Sequence, residues 1–141
     1  MIKRYFAKKD NTITNAFEEN LSTRGTGSNM GASDILEVFS IYGQDSGSSG
    51  LSSELSRVLI QFPVAAISAD RVAGTIPASG SVSFYLKMFN AEHPFTLPQD
   101  FNLVVAPISR SWTEGTGLDM DEYQDLGESN WIKSDSSTSW S

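Results

Sequence analysis

The stretch SWTEGTGLDMDEYQDLGESNW, residues 111–131, concentrates the residue types that do chemistry. Glu114, Asp119, Asp121, Glu122, Asp125 and Glu128 lie between Trp112 and Trp131 with no basic residue among them. Four chemistries are open to such a segment. Glycoside hydrolysis needs two carboxylates facing each other across a sugar ring, one of them buried enough to hold a proton. Acids in a Ser/Gly-rich turn do not have that environment, so a hydrolase is not expected. A hard cation such as calcium accepts carboxylates at alternating positions, and Asp119, Asp121 and Asp125 stand at positions 1, 3 and 7 of DMDEYQD. The central glycine and closing glutamate of an EF-hand are missing, and calcium is the one cofactor this spacing suggests. Trp112, Tyr123 and Trp131 could instead form a stacking platform for a glycan. The fourth reading is structural: the tryptophans plug the end of a core, and Glu114 caps the Gly115–Gly117 turn by accepting backbone N–H bonds. The structural reading is the one expected here.

Other catalytic constellations fail on residue supply. His93 is the lone histidine, and cysteine is absent, so neither a Ser–His–Asp arrangement with an alternative base nor thiolate chemistry is available. GTGSNMG lacks the trailing Lys-Ser/Thr of a phosphate-binding loop and precedes strand-like sequence.

The elements that must hold these residues are read from hydrophobic periodicity. SVSFYLKMF alternates, with Val82, Phe84, Leu86 and Met88 on one face and Tyr85 and Phe89 opposite. In ELSRVLIQF, Val58, Ile60 and Phe62 share one face, which leaves Leu59 on the other with Arg57 and Gln61. DILEVFSIY and FNLVVAPI are expected as more fully buried strands, and IKRYFA as an edge strand. Pro63 and Gly74 bracket PVAAISADRVAG, whose spacing predicts one or two turns of helix. Ser/Gly clusters between these runs supply turns. The expectation is a single all-β domain over residues 1–141, an antiparallel jelly-roll-like β-sandwich with one short helix. No convincing last strand follows Trp131, so residues 132–141 are expected as a flexible tail or the start of a longer chain, leaving an edge for a neighbour to fill.

A net charge of −7 argues against nucleic acid as a partner. No run approaches the length of a membrane span, and the start carries no secretory signal pattern. The charge is polarised: Lys3, Arg4, Lys8, Lys9 and Arg24 crowd the first part of the chain and acids the last. Exposed apolar residues at Tyr85, Phe89 and Leu59, with Trp112, Tyr123 and Trp131, are the candidate interface set.

The order of TGSNMGASDILEVFSI, SRVLIQFP, PVAAISADRVAGTIP, GSVSFYLKMFNAEH, SWTEGTGLD and SNW resembles the DNRLRE-type β-sandwich domain of bacterial surface proteins. WTEGTG is the most specific of these pieces. The chain departs from that pattern in its longer acidic insert, LDMDEYQD, and in its missing terminal strand. NTITNAF, TRGTGSNMGASDILEVFSIYGQ and WTEGTGLDMDEYQDLGESNW are similar to virion structural proteins of marine cyanobacterial tailed phages. The resemblance implies a non-enzymatic component of the phage particle. A capsid decoration or cement subunit is the first expectation, and a neck or tail accessory the second. Its partners would be major capsid, neck or tail proteins and further copies of itself, as a homo-oligomer. The alternative is a carbohydrate-binding module of a surface or tail-fibre protein.

Overall fold

The computed structural model describes residues 2–42, 53–78, 80–92, 100–120 and 127–140. Its regular elements are mostly strand: β1 (Lys9–Thr14), β2 (Ser40–Tyr42) and β3 (Ser53–Gln61), followed by the helix α1 (Val64–Val72). The three strands form one antiparallel sheet in the order β1-β3-β2. The chain divides into two compact units, residues 1–64 with 110–141, and residues 65–109.

In the first unit, β3 is the central strand. Its β-branched and aliphatic residues suit a pleated ladder, and β1 pairs along its whole length from Lys9↔Gln61 to Thr14↔Ser56. Directly opposed residues point to the same face, so Asn11 and Ile13 share a face with Leu59 and Arg57. Ile13, Leu59 and Trp112 are the buried cluster on it, with Trp131 and Trp140 packed against them. This corrects the sequence reading of β3. Leu59 is 5% exposed and belongs to the core, not to an interface, while Val58 and Ile60 on the opposite face are half-buried.

The outer edge of β1 is closed by single bonds. The Asp10 N–H donates to Glu114 Oε1 (2.9 Å), Met30 N–H donates to the Thr12 carbonyl (3.0 Å), and Ile13 bridges Asn29. On the other face, Thr12 Oγ1 accepts the Glu37 N–H (3.1 Å) and Thr14 Oγ1 donates to the Leu55 carbonyl (2.9 Å). Both threonines are fully buried with partners, as buried hydroxyls require.

Two expected strands move or shrink. The first strand is KDNTIT, not IKRYFA, and residues 2–7 have no regular structure. Of DILEVFSIY only the last three residues are strand, and Ile35, Val38 and Ile41 are exposed. Of residues 132–141, expected as a tail, the described part, 132–140, folds back instead. Lys133 bridges Ser139, the Ser134 N–H donates to the Thr138 carbonyl, and the Trp140 indole N–H donates to the Asn130 carbonyl (2.6 Å).

In the second unit, α1 ends as the sequence indicates. Gly74 takes φ +70°, the Gly74 N–H donates to the Arg71 carbonyl, and the Thr75 N–H reaches the Asp70 carbonyl. Those two bonds form a Schellman cap, which favours glycine at that position. Beyond it, Ile76 is buried, but residues 82–92 and 100–109 carry no strand pairing among the described residues. SVSFYLKMF, expected as a strand from its alternation, and FNLVVAPI, expected as a more fully buried strand, therefore form no sheet strands among the described residues. Phe84, Tyr85, Leu86, Met88, Phe89 and Val104 are all exposed. Alternation gives a segment a sheet-forming face but does not provide the strand to pair with.

Candidate functional site

The loop 111–120 and the hook 127–140 lie over the Asn11/Ile13/Leu59 face of the sheet. Three tryptophans make the cover. Trp112 is 7% exposed, with the Lys9 ammonium 4.6 Å from its ring centroid and the Lys9 Nζ donating to its carbonyl. Trp131 carries the Arg57 guanidinium 3.9 Å from its centroid. Cations held over indole faces are attracted by the ring quadrupole, which accounts for two basic residues on a face that is otherwise core. The same geometry removes the sugar platform as first drawn: Trp112 is a core plug, and one face of Trp131 is taken by Arg57. Tyr123, its third member, lies outside the described residues.

Under the tryptophans runs a buried polar seam that periodicity did not reveal. Asn11, Asn29, Asn130, Ser28, Ser129 and Ser134 are each no more than 2% exposed. The Asn11 Nδ2 donates to both the carbonyl (3.0 Å) and Oγ (2.8 Å) of Ser129, while its Oδ1 accepts the Met30 N–H (3.0 Å). Asn29 Oδ1 accepts the Gly117 N–H (3.0 Å). Asn130 Oδ1 takes the N–H groups of Ile132 and Lys133, both at 2.9 Å, and so turns the chain into the hook. The Asn11 amide thus ties β1 both to Met30 and to Ser129, 118 residues away. The seam requires bare backbone at WTEGTG: a Cβ on Gly115 would overlap the Asn29 side chain, and one on Gly31 would overlap the Gly115 backbone. The signal for it was present as asparagines beside glycine- or serine-rich turns, in NTITN, GSNMG and ESNW.

Four of the described carboxylates, Glu54, Glu114, Asp119 and Asp135, hold backbone. Glu114 was expected to cap its own turn but reaches across to the Asp10 N–H. Glu54, 4% exposed, accepts the Phe17 N–H through Oε1 (2.8 Å), and its Oε2 has no partner among the described residues. Asp135 accepts the N–H groups of Ser137 and Thr138, both at 2.8 Å, and these bonds pull its pKa down to about 2. Asp10 is shifted upward, first by burial and then by the neighbouring Glu114 charge. Asp119 Oδ1 accepts the N–H of Met120 (2.6 Å). Its proposed fellow calcium ligands, Asp121 and Asp125, lie outside the described residues, as does His93. Among the described residues, no three acids or histidines are grouped to hold a metal.

A cleft of about 340 Å³ opens between residues 18–27 and 130–133 and is lined by Glu18, Arg24, Thr26, Asn130, Ile132 and Lys133. Arg24 is fixed there by stacking on Phe17 (3.7 Å to the centroid) and by donating to the Asn15 carbonyl (2.9 Å). The cleft is shallow and mixed in charge.

Tyr85 and Phe89 are 88% and 84% exposed, so the second unit presents the apolar surface expected of them. No protein-family model matches the chain, and no curated protein or solved structure matches it significantly. Among the described residues, no helix is long and apolar enough to cross a membrane.

Proposed function

We propose that this protein is a non-enzymatic structural subunit of a tailed-phage particle, working by packing against other virion proteins. In this reading it is a DNRLRE-type, jelly-roll-like sandwich whose second layer is completed in the assembly. The observation that carries the proposal is the exposed apolar surface of residues 82–89 and 101–108. Phe84, Tyr85, Phe89, Val104 and Val105 are each more than half exposed. An isolated soluble domain seldom leaves that much contiguous sequence of large apolar residues in water, whereas a subunit face does. Further support is the use made of the carboxylates: Glu54, Glu114, Asp119 and Asp135 bind backbone N–H groups within the fold. The order of motifs similar to phage virion proteins supplies the setting. Decoration or cementing of the capsid ranks ahead of a neck or tail position, because small sandwiches suit repeated lattice sites.

The test is mass spectrometry of a purified particle, with quantitation of this chain against the major capsid protein. Copy numbers comparable to the capsid lattice are expected for a decoration subunit, and a few dozen copies for a neck or tail part. Absence from particles, with glycan binding by the isolated protein, would replace this reading with the carbohydrate-binding one.

A further inference from the structure

Residues 2–7 leave the start of β1 with no regular structure, and Ile2 and Phe6 are 87% and 81% exposed. Their sequence, IKRYFA, combines three β-formers, Ile2, Tyr5 and Phe6, with two cations and contains no proline, glycine or acid. At the other side of the sheet, β2 is an outer strand with β3 as its single neighbour among the described residues. The Ser56 N–H donates to the Phe39 carbonyl, which fixes the alternation of the ladder. The amide and carbonyl of Ile41 then face β3, and those of Ser40 and Tyr42 face outward. The outer edge of β1 is closed by Glu114, Met30 and Asn29, whereas nothing described closes the outer edge of β2. Such an edge is a template for an added strand.

We propose that the arm Ile2–Ala7 of one copy adds as a strand to the outer edge of β2 in a second copy of this chain. Reach decides between the same chain and a second one. The arm leaves the sheet beside Gln61, while Ile41 lies opposite Glu54, seven residues further along β3. That separation is ~23 Å along the strand, with two strand spacings of ~10 Å across the sheet. The six residue steps from Ile2 to Lys8 span at most ~21 Å even fully extended. No residue of the arm can therefore pair with Ile41 of its own chain. Charge favours the pairing between copies: Lys3 and Arg4 on the arm meet Asp34 and Glu37, both exposed, in the approach to β2. Exposed Ile35, Val38 and Ile41 offer apolar contacts to Ile2 and Phe6. The proposal does not depend on the phage reading or on the Tyr85/Phe89 surface.

The experiment is sedimentation equilibrium of the full chain with two complementary variants. Ser40→Pro removes an outward N–H without touching the ladder to β3, a position where proline is tolerated. Ile2→Asp with Phe6→Asp spoils the arm and leaves the edge intact. The unaltered chain is expected to self-associate, more weakly as salt rises to about 0.5 M. Each variant is expected to weaken association about tenfold or more, with an unchanged melting temperature. Mixing the two is expected to restore a 1:1 complex, because one supplies the arm and the other the edge. A chain that stays monomeric, or variants that associate as the unaltered chain does, would overturn the proposal. Loss of association in Tyr85→Ser/Phe89→Ser, with both arm and edge variants unaffected, would assign the contact to the second unit instead.

Discussion

Ile13 and Phe84 are both large apolar residues, yet Ile13 is 1% exposed and Phe84 is 63% exposed. The difference lies in what surrounds the two segments. Ile13 sits on a strand whose neighbour β3 is in register, whose outer edge is bonded by Met30 and Asn29, and whose face is covered by Trp112. Phe84 lies in the clearly alternating SVSFYLKMF but has no ladder among the described residues. The first unit closes chiefly through amide side chains: Asn11, Asn29 and Asn130 bind loop backbone that apolar residues could not satisfy. Its core needs few aliphatic residues because tryptophans and a bonded polar seam fill it. The second unit has the aliphatic and aromatic residues and shows no such seam among the described residues, which suits the proposed surface finished by a partner.

The sharpest way to break this contrast is at the seam. Gly115→Val places a branched side chain where the Asn29 amide lies, and should cost about 3 kcal/mol or more of unfolding free energy in urea titration. A loss below ~1 kcal/mol would mean that Asn29 does not hold the WTEGTG loop. Next comes the direct comparison of the two apolar residues. Ile13→Ala should destabilise by about 3 kcal/mol, and Phe84→Ala in the isolated chain by less than about 0.5 kcal/mol. Equal losses would erase the distinction between the units. Asn11→Ala removes the donor to Ser129 and the acceptor of the Met30 N–H, and about 2 kcal/mol should follow from the groups left buried.

The smallest effects are electrostatic. Asp10 has a raised folded-state pKa, so its protonated form is favoured by folding. That contribution is complete below the unfolded value of 3.8 and lost as pH rises through the folded value. Asp10→Asn should therefore raise the melting temperature slightly at neutral pH and leave it nearly unchanged in acid. Asp135 has the opposite sign. Its stabilisation is present above 3.8 and disappears as pH falls towards about 2, so Asp135→Ala should matter at neutral pH and not below that range. Thermal melts of both variants between neutral and acid pH check the two signs.

The parts of this molecule legible in the sequence are those governed by local rules. Pro63 and Gly74 mark α1 because ring geometry and a left-handed cap act within a few residues. ELSRVLIQF gives β3 because β-branched alternation suits a central strand. What failed was the choice of face. Val58 and Ile60 outnumber Leu59, but the buried face is the one that meets Ile13 and the tryptophans, more than forty residues away in sequence. β1 was missed because KDNTIT looks polar; its asparagine and threonines are buried by bonds to residues that only tertiary structure supplies. The lid role of Trp112 was readable from its place in a glycine-rich turn. The reach of Glu114 to Asp10 was not, since nothing local distinguishes it from a cap of its own turn. Leu59, assigned to an interface by its neighbours' alternation, is core for the same long-range reason.

Residues 82–89 have no strand partner among the described residues, and in the proposed function another protein supplies one. Amide hydrogen exchange on the dilute, isolated chain tests this most directly. The account predicts slow exchange for the ladder amides of β1 and β3 and fast exchange across Val82–Phe89, with protection there appearing on assembly. Protection of Val82–Phe89 equal to that of β3 in the dilute monomer would contradict it, because the segment would then already be a strand of its own chain's sandwich.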